Sequence, residues 1–369
     1  MQLDPFSRLI VVYILWLGSW MLGATLFEVY FFSLGMPPQE IYLSNSLWFA
    51  GGILILPLFR KYSSKKFMMA GMAVAGTAML LLFAYPASPA AYAFRFLAGL
   101  TNILFWMPFN VLFYEHRKEN NAQLGALYYS LGPVLSLALP TVAGVIAGSA
   151  GFPALYLLSA LLFALTLIAA FFFLEDREYS YDIISALRSI SGLKSILFLE
   201  GFSAMVIVSL TLEIFLLAFI TTPVEYGSFI SLVTVFSVAA AAITAKLSDK
   251  AMERRRFILP TVAAFALSSV FASVAGDVFT FFIAFGLINL FSRIFFPLPL
   301  ALSVDNSKSL PDVMAGREMM LNGGRFAGAL AGYLIFLVSD IRTVLLLQGL
   351  LFLLYIPIFE NRKRKLQRH

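Results

Sequence analysis

Leu26-Phe27-Glu28-Val29-Tyr30-Phe31-Phe32 sets a carboxylate inside the first long apolar run of the chain. A near-copy, Thr211-Leu212-Glu213-Ile214-Phe215-Leu216-Leu217, stands far downstream in another such run. In hydrocarbon a carboxylate costs ~2.5 kcal/mol or more on insertion scales. A chain that carries this cost twice, at matching places, reads as two related halves with work to do where they meet.

The rest of the chain is matched to lipid. Its 369 residues are 60% hydrophobic and 12% charged, and its mean hydropathy is +0.88. A soluble domain carries about 25% charged residues, so the solvent here is a bilayer. The net charge of +6 does not imply nucleic acid. Its basic residues form short clusters between apolar runs, as topology requires. With no cysteine and two histidines, His116 and His369, at a loop and the C-terminus, no metal site, thiol nucleophile or cofactor is expected. Arg8 opens a long apolar run without a short core and cleavage site, so a retained first helix is expected rather than a signal peptide.

Crossing a ~30 Å hydrocarbon core takes about 20 residues. Twelve runs qualify: 8–34, 40–59, 67–85, 90–114, 122–148, 152–174, 195–220, 226–245, 257–275, 278–303, 316–339 and 341–359. They are continuously apolar, without the alternation of a barrel strand, so the fold class is an all-α polytopic membrane protein. Of the 26 lysines and arginines, Arg95, Arg293 and Arg325 lie inside runs. Arg342 alone falls on the side of the first, third and later odd loops. All the rest, Arg317 included, fall on the opposite side or in the termini. Both termini are therefore expected in the cytoplasm, with the chain in the cell membrane as a monomer.

The runs group in six and six. Residues 1–174 form one expected bundle, 175–194 a cytoplasmic linker, 195–359 a second bundle and 360–369 a basic tail. In the linker, Ile183, Ile184, Leu187 and Ile190 recur at helical spacing against Asp182, Ser185 and Arg188, which predicts a short amphipathic helix on the membrane interface. The halves repeat: Glu28 matches Glu213, Asn102 matches Asn289, and the basic loop 60–66 matches 246–256. Parallel repeats of this kind place a binding site at their junction.

Twelve spans in two pseudo-symmetric sets of six, with a basic loop after the second and eighth, resemble the major facilitator superfamily across nearly the whole chain. Ala245-Lys246-Leu247-Ser248-Asp249-Lys250 with Arg254-Arg255-Arg256 is similar to the family's Gly-x-Leu-x-Asp-Arg loop, with Ala245 in place of its first glycine. The earlier copy, Pro57 to Lys66, keeps Arg60 but has Lys61 where the family has aspartate and Ser64 where it has glycine. The resemblance implies a cytoplasmic gate at Arg60, Lys61, Asp249, Lys250 and Arg254. Arg95-Phe96-Leu97-Ala98-Gly99 matches the family's Arg-x-x-x-Gly motif, whose arginine is linked to proton coupling. Gly132-Pro133 resembles the antiporter motif, although Ser136-Leu137 replaces its double glycine. In the family the first, fourth, seventh and tenth spans line the cavity. Glu28, Arg95, Glu213 and Arg293 fall on those four, and Arg325 on the eleventh.

Counted at ~1.5 Å per residue, Glu28 and Arg95 share a level and are expected to pair. Glu28, Arg95 and Glu213 are then candidates for proton coupling, the alternative being a fixed structural ion pair. Trp20 and Trp106, with Trp16, read either as an aromatic wall for substrate or as core packing. Asn102 and Asn289 are buried amides in need of partners, between helices or on substrate. Arg293 and Arg325, both near mid-depth, are candidates to bind an anionic group. Glu200 and Glu318 fall near span ends and read as solvated gate residues. The expected function is secondary active transport of a small organic solute, coupled to protons and not enzymatic. The aromatic residues and Gly132-Pro133 lean toward export by antiport; the arginines leave uptake of an organic anion as the alternative. A membrane enzyme or lipid-handling protein would need a nucleophile–base pair or metal cluster at depth, which the sequence lacks. A receptor without flux is the remaining reading.

Overall fold

A computed structural model describes residues 4–115, 131–248, 255–305 and 309–366. Its helices follow the apolar runs. They are α1 (Pro5–Ser33), α2 (Pro38–Leu58), α3 (Ser64–Ala84) and α4 (Ser88–Glu115), then the long stretch Leu131–Phe173. After the linker come α7 (Lys194–Leu216), α8 (Pro223–Ser248), α9 (Arg255–Ser273), α10 (Val278–Val304), α11 (Leu310–Val338) and α12 (Ile341–Asn361). The stretch Leu131–Phe173 has 43 residues, or ~65 Å of helix, about twice the hydrocarbon thickness. It folds back at Gly151, whose φ of 84° is open to glycine at no steric cost. Its arms are α5 (131–150) and α6 (152–173). The described residues thus hold twelve apolar helices, each crossing returning the chain, and the ends of α1 and α12 share one face. We call it the terminal face and its opposite the far face.

Several spans differ from the runs read in sequence. α11 begins at Leu310, where Ser309 Oγ accepts from Asp312 N at 3.4 Å. Its first turns carry Asp312 and Arg317, which read as loop in sequence, and Glu318, which read as lying near the span's end. Arg317, counted there with the loops, is buried inside α11. α12 turns at Leu353–Leu354, and helix resumes at Tyr355–Leu366, running into the stretch expected as tail.

Within the first half, α1 and α6 are joined by hydroxyls. Ser159 Oγ donates to Ser19 O at 2.7 Å, and Ser19 Oγ lies 3.1 Å from Thr166 Oγ1. Between the halves, α5 meets α8. A methyl group on Gly227 would lie 2.1 Å from the Pro140 carbonyl oxygen, so only glycine permits this approach. Thr141 Oγ1 donates to Ser231 Oγ at 2.9 Å beside it. On the other flank, Tyr42 of α2 lies 2.7 Å from Thr211 Oγ1 of α7, and Gln348 Nε2 of α12 donates to the Tyr42 hydroxyl at 3.1 Å. These contacts gather toward the far face.

The linker is not a bare loop. Lys61–Ser63 (β1) and Glu178–Ser180 (β2) pair antiparallel, Tyr62 opposite Tyr179. Ser64 N donates to Arg177 O at 2.8 Å and Tyr181 N to Arg60 O at 3.0 Å. The Tyr181 hydroxyl donates to Leu56 O at 2.5 Å. Tyr179 donates to Glu115, and Ser63 to Asp176. The amphipathic helix is present as Ile183–Ser189. Its apolar side is turned onto α11, with Ala186 over Gly316, and Ala186 and Ile190 are buried. Arg60 and Lys61, expected as half of a gate, hold this linker through their backbones. Asp249, Lys250 and Arg254 lie outside the described residues.

Candidate functional site

α1 is not continuous. It breaks at Thr25–Leu26, where Thr25 Oγ1 donates back to Met21 O at 2.7 Å, and restarts at Phe27. The break places Glu28 in the first turn of the restarted segment. There Arg95 Nη2 of α4 donates to Glu28 Oε1 at 2.5 Å, both side chains almost wholly buried. Phe31, Phe27 and Trp48 surround the guanidinium, with ring centroids 5.0, 5.4 and 5.4 Å from its carbon. Such rings attract a desolvated cation.

From the other half, the Glu213 carboxyl of α7 comes within hydrogen-bond reach of Glu28. Tyr226 of α8 donates its hydroxyl to Glu213 O at 3.3 Å. In the second half the position matching Arg95 falls near Phe282, with no arginine there. The structure instead brings Glu213 to the Glu28–Arg95 pair across the junction. Glu28, Arg95 and Glu213 line one cavity of about 260 Å³ with Trp20, Asn289 and Arg293.

Deeper toward the terminal face lies a second cavity of about 340 Å³, lined by Asn102, Trp106, Arg293 and Arg325. Trp48, Val208, Ser209 and Arg293 line both cavities, so they are two levels of one hollow. All six residues expected on substrate therefore face it. Asn289 also serves the packing: it accepts from Ser237 Oγ at 3.4 Å and donates to Phe285 O at 3.0 Å. Trp16 does not reach the hollow's lining. It is buried and stacks on Phe105 at 3.9 Å.

The inner level holds a network that sequence reasoning missed. Arg317 Nη1 donates to Glu318 Oε1 at 2.9 Å, and Arg317 Nη2 lies 3.7 Å from Glu200 Oε1. Glu318 Oε2 accepts from Asn322 Nδ2 at 3.4 Å. Asn322 Oδ1 accepts from Arg325 Nη1 at 3.1 Å. Arg325 Nε and Nη2 reach the Met205 sulfur at 3.0 and 2.6 Å. Glu200 and Glu318, expected as solvated, are buried. Two causes turn them inward. α11 starts earlier than its apolar run, and α7 is π-helical over Glu200–Met205 and again over Ile207–Thr211. Such π segments concentrate at functional sites. Neither has a spacing signal. Asn45 and Asn110 complete the lining. Among the described residues no cluster of His, Cys, Asp or Glu could hold a metal ion.

A sequence model described as the Major Facilitator Superfamily matches residues 9–199 and again 193–368, once in each half. No curated protein matches the chain. Solved structures do. The human organic anion transporter MFSD10 (TETRAN) superposes with a TM-score of 0.69 at 14% identity, covering 96% of this chain and 100% of that one. A POT family transporter in complex with a thioalcohol-conjugated peptide gives 0.72 at 13% identity, covering 98% and 96%. The nucleoside transporter NupG gives 0.66 at 12%, covering 97% and 99%. At such identities these likenesses speak for the fold alone, and the two sequence matches carry the assignment: this chain belongs to the Major Facilitator Superfamily.

Proposed function

We propose that the protein is a proton-coupled secondary active transporter. It moves a small organic solute through the hollow between residues 1–174 and 195–359 by alternating access, as a monomer in the cell membrane with both termini cytoplasmic. The observation that carries the coupling is the meeting of Glu28, Arg95 and Glu213 at the junction. A carboxyl held there by both halves changes its surroundings whenever the halves move apart. A proton site that senses the conformation is what coupling requires. Arg95 is its modulator.

The flat, apolar part of the solute rests on Trp20, Trp48 and Trp106. Export by proton antiport is supported by these rings and by Gly132-Pro133. Uptake of an organic anion is supported by a different observation, the arginines of the inner level.

Reconstitution tests the coupling. Liposomes loaded with a pH-sensitive dye are given a pH gradient and a panel of small solutes, with wild type beside Glu28→Gln. Solute-dependent proton movement is expected in wild type and lost in the variant. Full gradient-driven transport by Glu28→Gln would remove Glu28 from the mechanism.

A further inference from the structure

The charges in the hollow are unevenly placed. On the outer level two carboxylates, Glu28 and Glu213, meet one guanidinium, Arg95. On the inner level three guanidiniums, Arg293, Arg317 and Arg325, meet two carboxylates, Glu318 and the adjoining Glu200. With every group ionised, the four carboxylates and four guanidiniums among the described residues balance over the hollow as a whole. Arg293 faces both levels.

On the inner level Arg317 takes both carboxylates. Arg325 is left with one amide oxygen and a thioether. Among the described residues it makes no ion pair. A thioether is a weak acceptor, whereas a guanidinium fork matches a carboxylate in two parallel bonds. A carboxylate entering from the hollow would displace Met205 and find the fork already aimed.

We infer that the substrate is a small organic monoanion whose carboxylate binds Arg325, with Arg293 opposite, and that it binds together with one proton held between Glu28 and Glu213. This rests on the proton-coupled carrier reading above, in its anion-uptake form rather than antiport, and names its cargo. Two carboxylates this close in a dry site repel each other, and a proton shared between them relieves the repulsion. The titratable and charged groups facing them are Arg95 from α4, Tyr156 from α6, Tyr226 from α8 and Arg293 from α10. While both carboxyls are ionised, the described charges of the hollow balance. Protonation removes that balance and exposes the inner level's excess to an anion. By reciprocity, the anion draws in the proton. The loaded hollow is neutral, so proton and anion travel in the same direction.

Calorimetric titration of the detergent-purified full chain tests this. Benzoate, phenylacetate and hexanoate are the probes, with benzamide and benzylammonium as controls, at pH 6 and pH 8 in buffers of different ionisation enthalpy. The carboxylates are expected to bind about tenfold tighter at pH 6 than at pH 8, a linkage of ordinary allosteric size, with uptake of about one proton. Arg325→Gln should weaken them at least tenfold at both pH values. Glu213→Gln should keep the binding and lose its pH dependence. Arg188→Gln, on the exposed side of the linker helix, should change neither. If Arg325→Gln does not fold, Arg325→Lys keeps the charge without the fork and should show a smaller loss in the same direction. Equal binding of benzamide, or no binding by any carboxylate, overturns the proposal. Preferential binding of benzylammonium with proton release overturns it too, yet leaves a proton-linked carrier standing. Carboxylate binding without proton exchange in wild type removes the coupling of Glu28 and Glu213 as well.

Discussion

Arg95 is the residue on which the outer level depends. It is the cation paired with Glu28 beside Glu213, and it is walled by three aromatic rings. Removing one member of a buried ion pair costs about 3–5 kcal/mol, because the other charge is left unpaired. Arg95→Met should therefore unfold at a clearly lower temperature than wild type. Adding Glu28→Gln and Glu213→Gln should recover much of the loss, since no buried charge is then left alone. Thermal unfolding of the single and triple variants measures both steps. The Glu28–Arg95 level was legible in sequence because depth along a helix can be counted. Glu213's place beside them was not. The crossing of α1 and α7 at the junction leaves no mark in the spacing of either. Arg317 was misread for a simpler reason: charges near the start of a span look like loop until the helix is seen to include them.

At the scale of the element, the linker helix shows how local chemistry positions larger parts. Asp182 accepts from Ser185 N at 3.0 Å and caps the helix. That backbone hydrogen bond holds its carboxyl below the usual aspartate range. A carboxyl lowered by folding stabilises the helix above the ordinary aspartate range, and the contribution fades as pH falls through the lowered value. Hydrogen exchange over Ile183–Ser189 should thus lose protection on acidification in wild type. Asp182→Ala should have low protection already at neutral pH, with little further change in acid. The helix was visible in the apolar spacing of Ile183, Ile184, Leu187 and Ile190, although Ile184 is exposed rather than packed on α11. The strands beside it were not, since three residues are too few to show a period. The break in α1 and the π-helical segments of α7 were equally silent, whereas Pro297 does stand where α10 turns at Phe296.

For the whole molecule, the duplicated pattern and the avoidance of lipid by ionic side chains were enough to foresee a hollow between two bundles. Which end of it is shut was not foreseeable, because neither the apolar runs nor the spacing of charges distinguishes a closed end from an open one. In this structure the contacts of Gly227, Thr141 and Tyr42 close the far face over the outer level. Ser209 is exposed and lines both levels below that seal. The chain has no cysteine, so Ser209→Cys introduces a single thiol. A membrane-impermeant maleimide should reach it from the terminal face and react much more slowly from the far face. Equal labelling from the two sides would mean that the seal does not hold in a bilayer.

The paired strands and the helix that follows them also bear on movement. One end of the linker is stitched to the loop between α2 and α3, and the other is seated on α11. Only Tyr181 and Asp182 lie between the two anchorages. Two extended residues span at most ~7 Å, so the connection is a short tether with almost no slack. Any widening of the terminal face would have to be accommodated within that length or break the stitching.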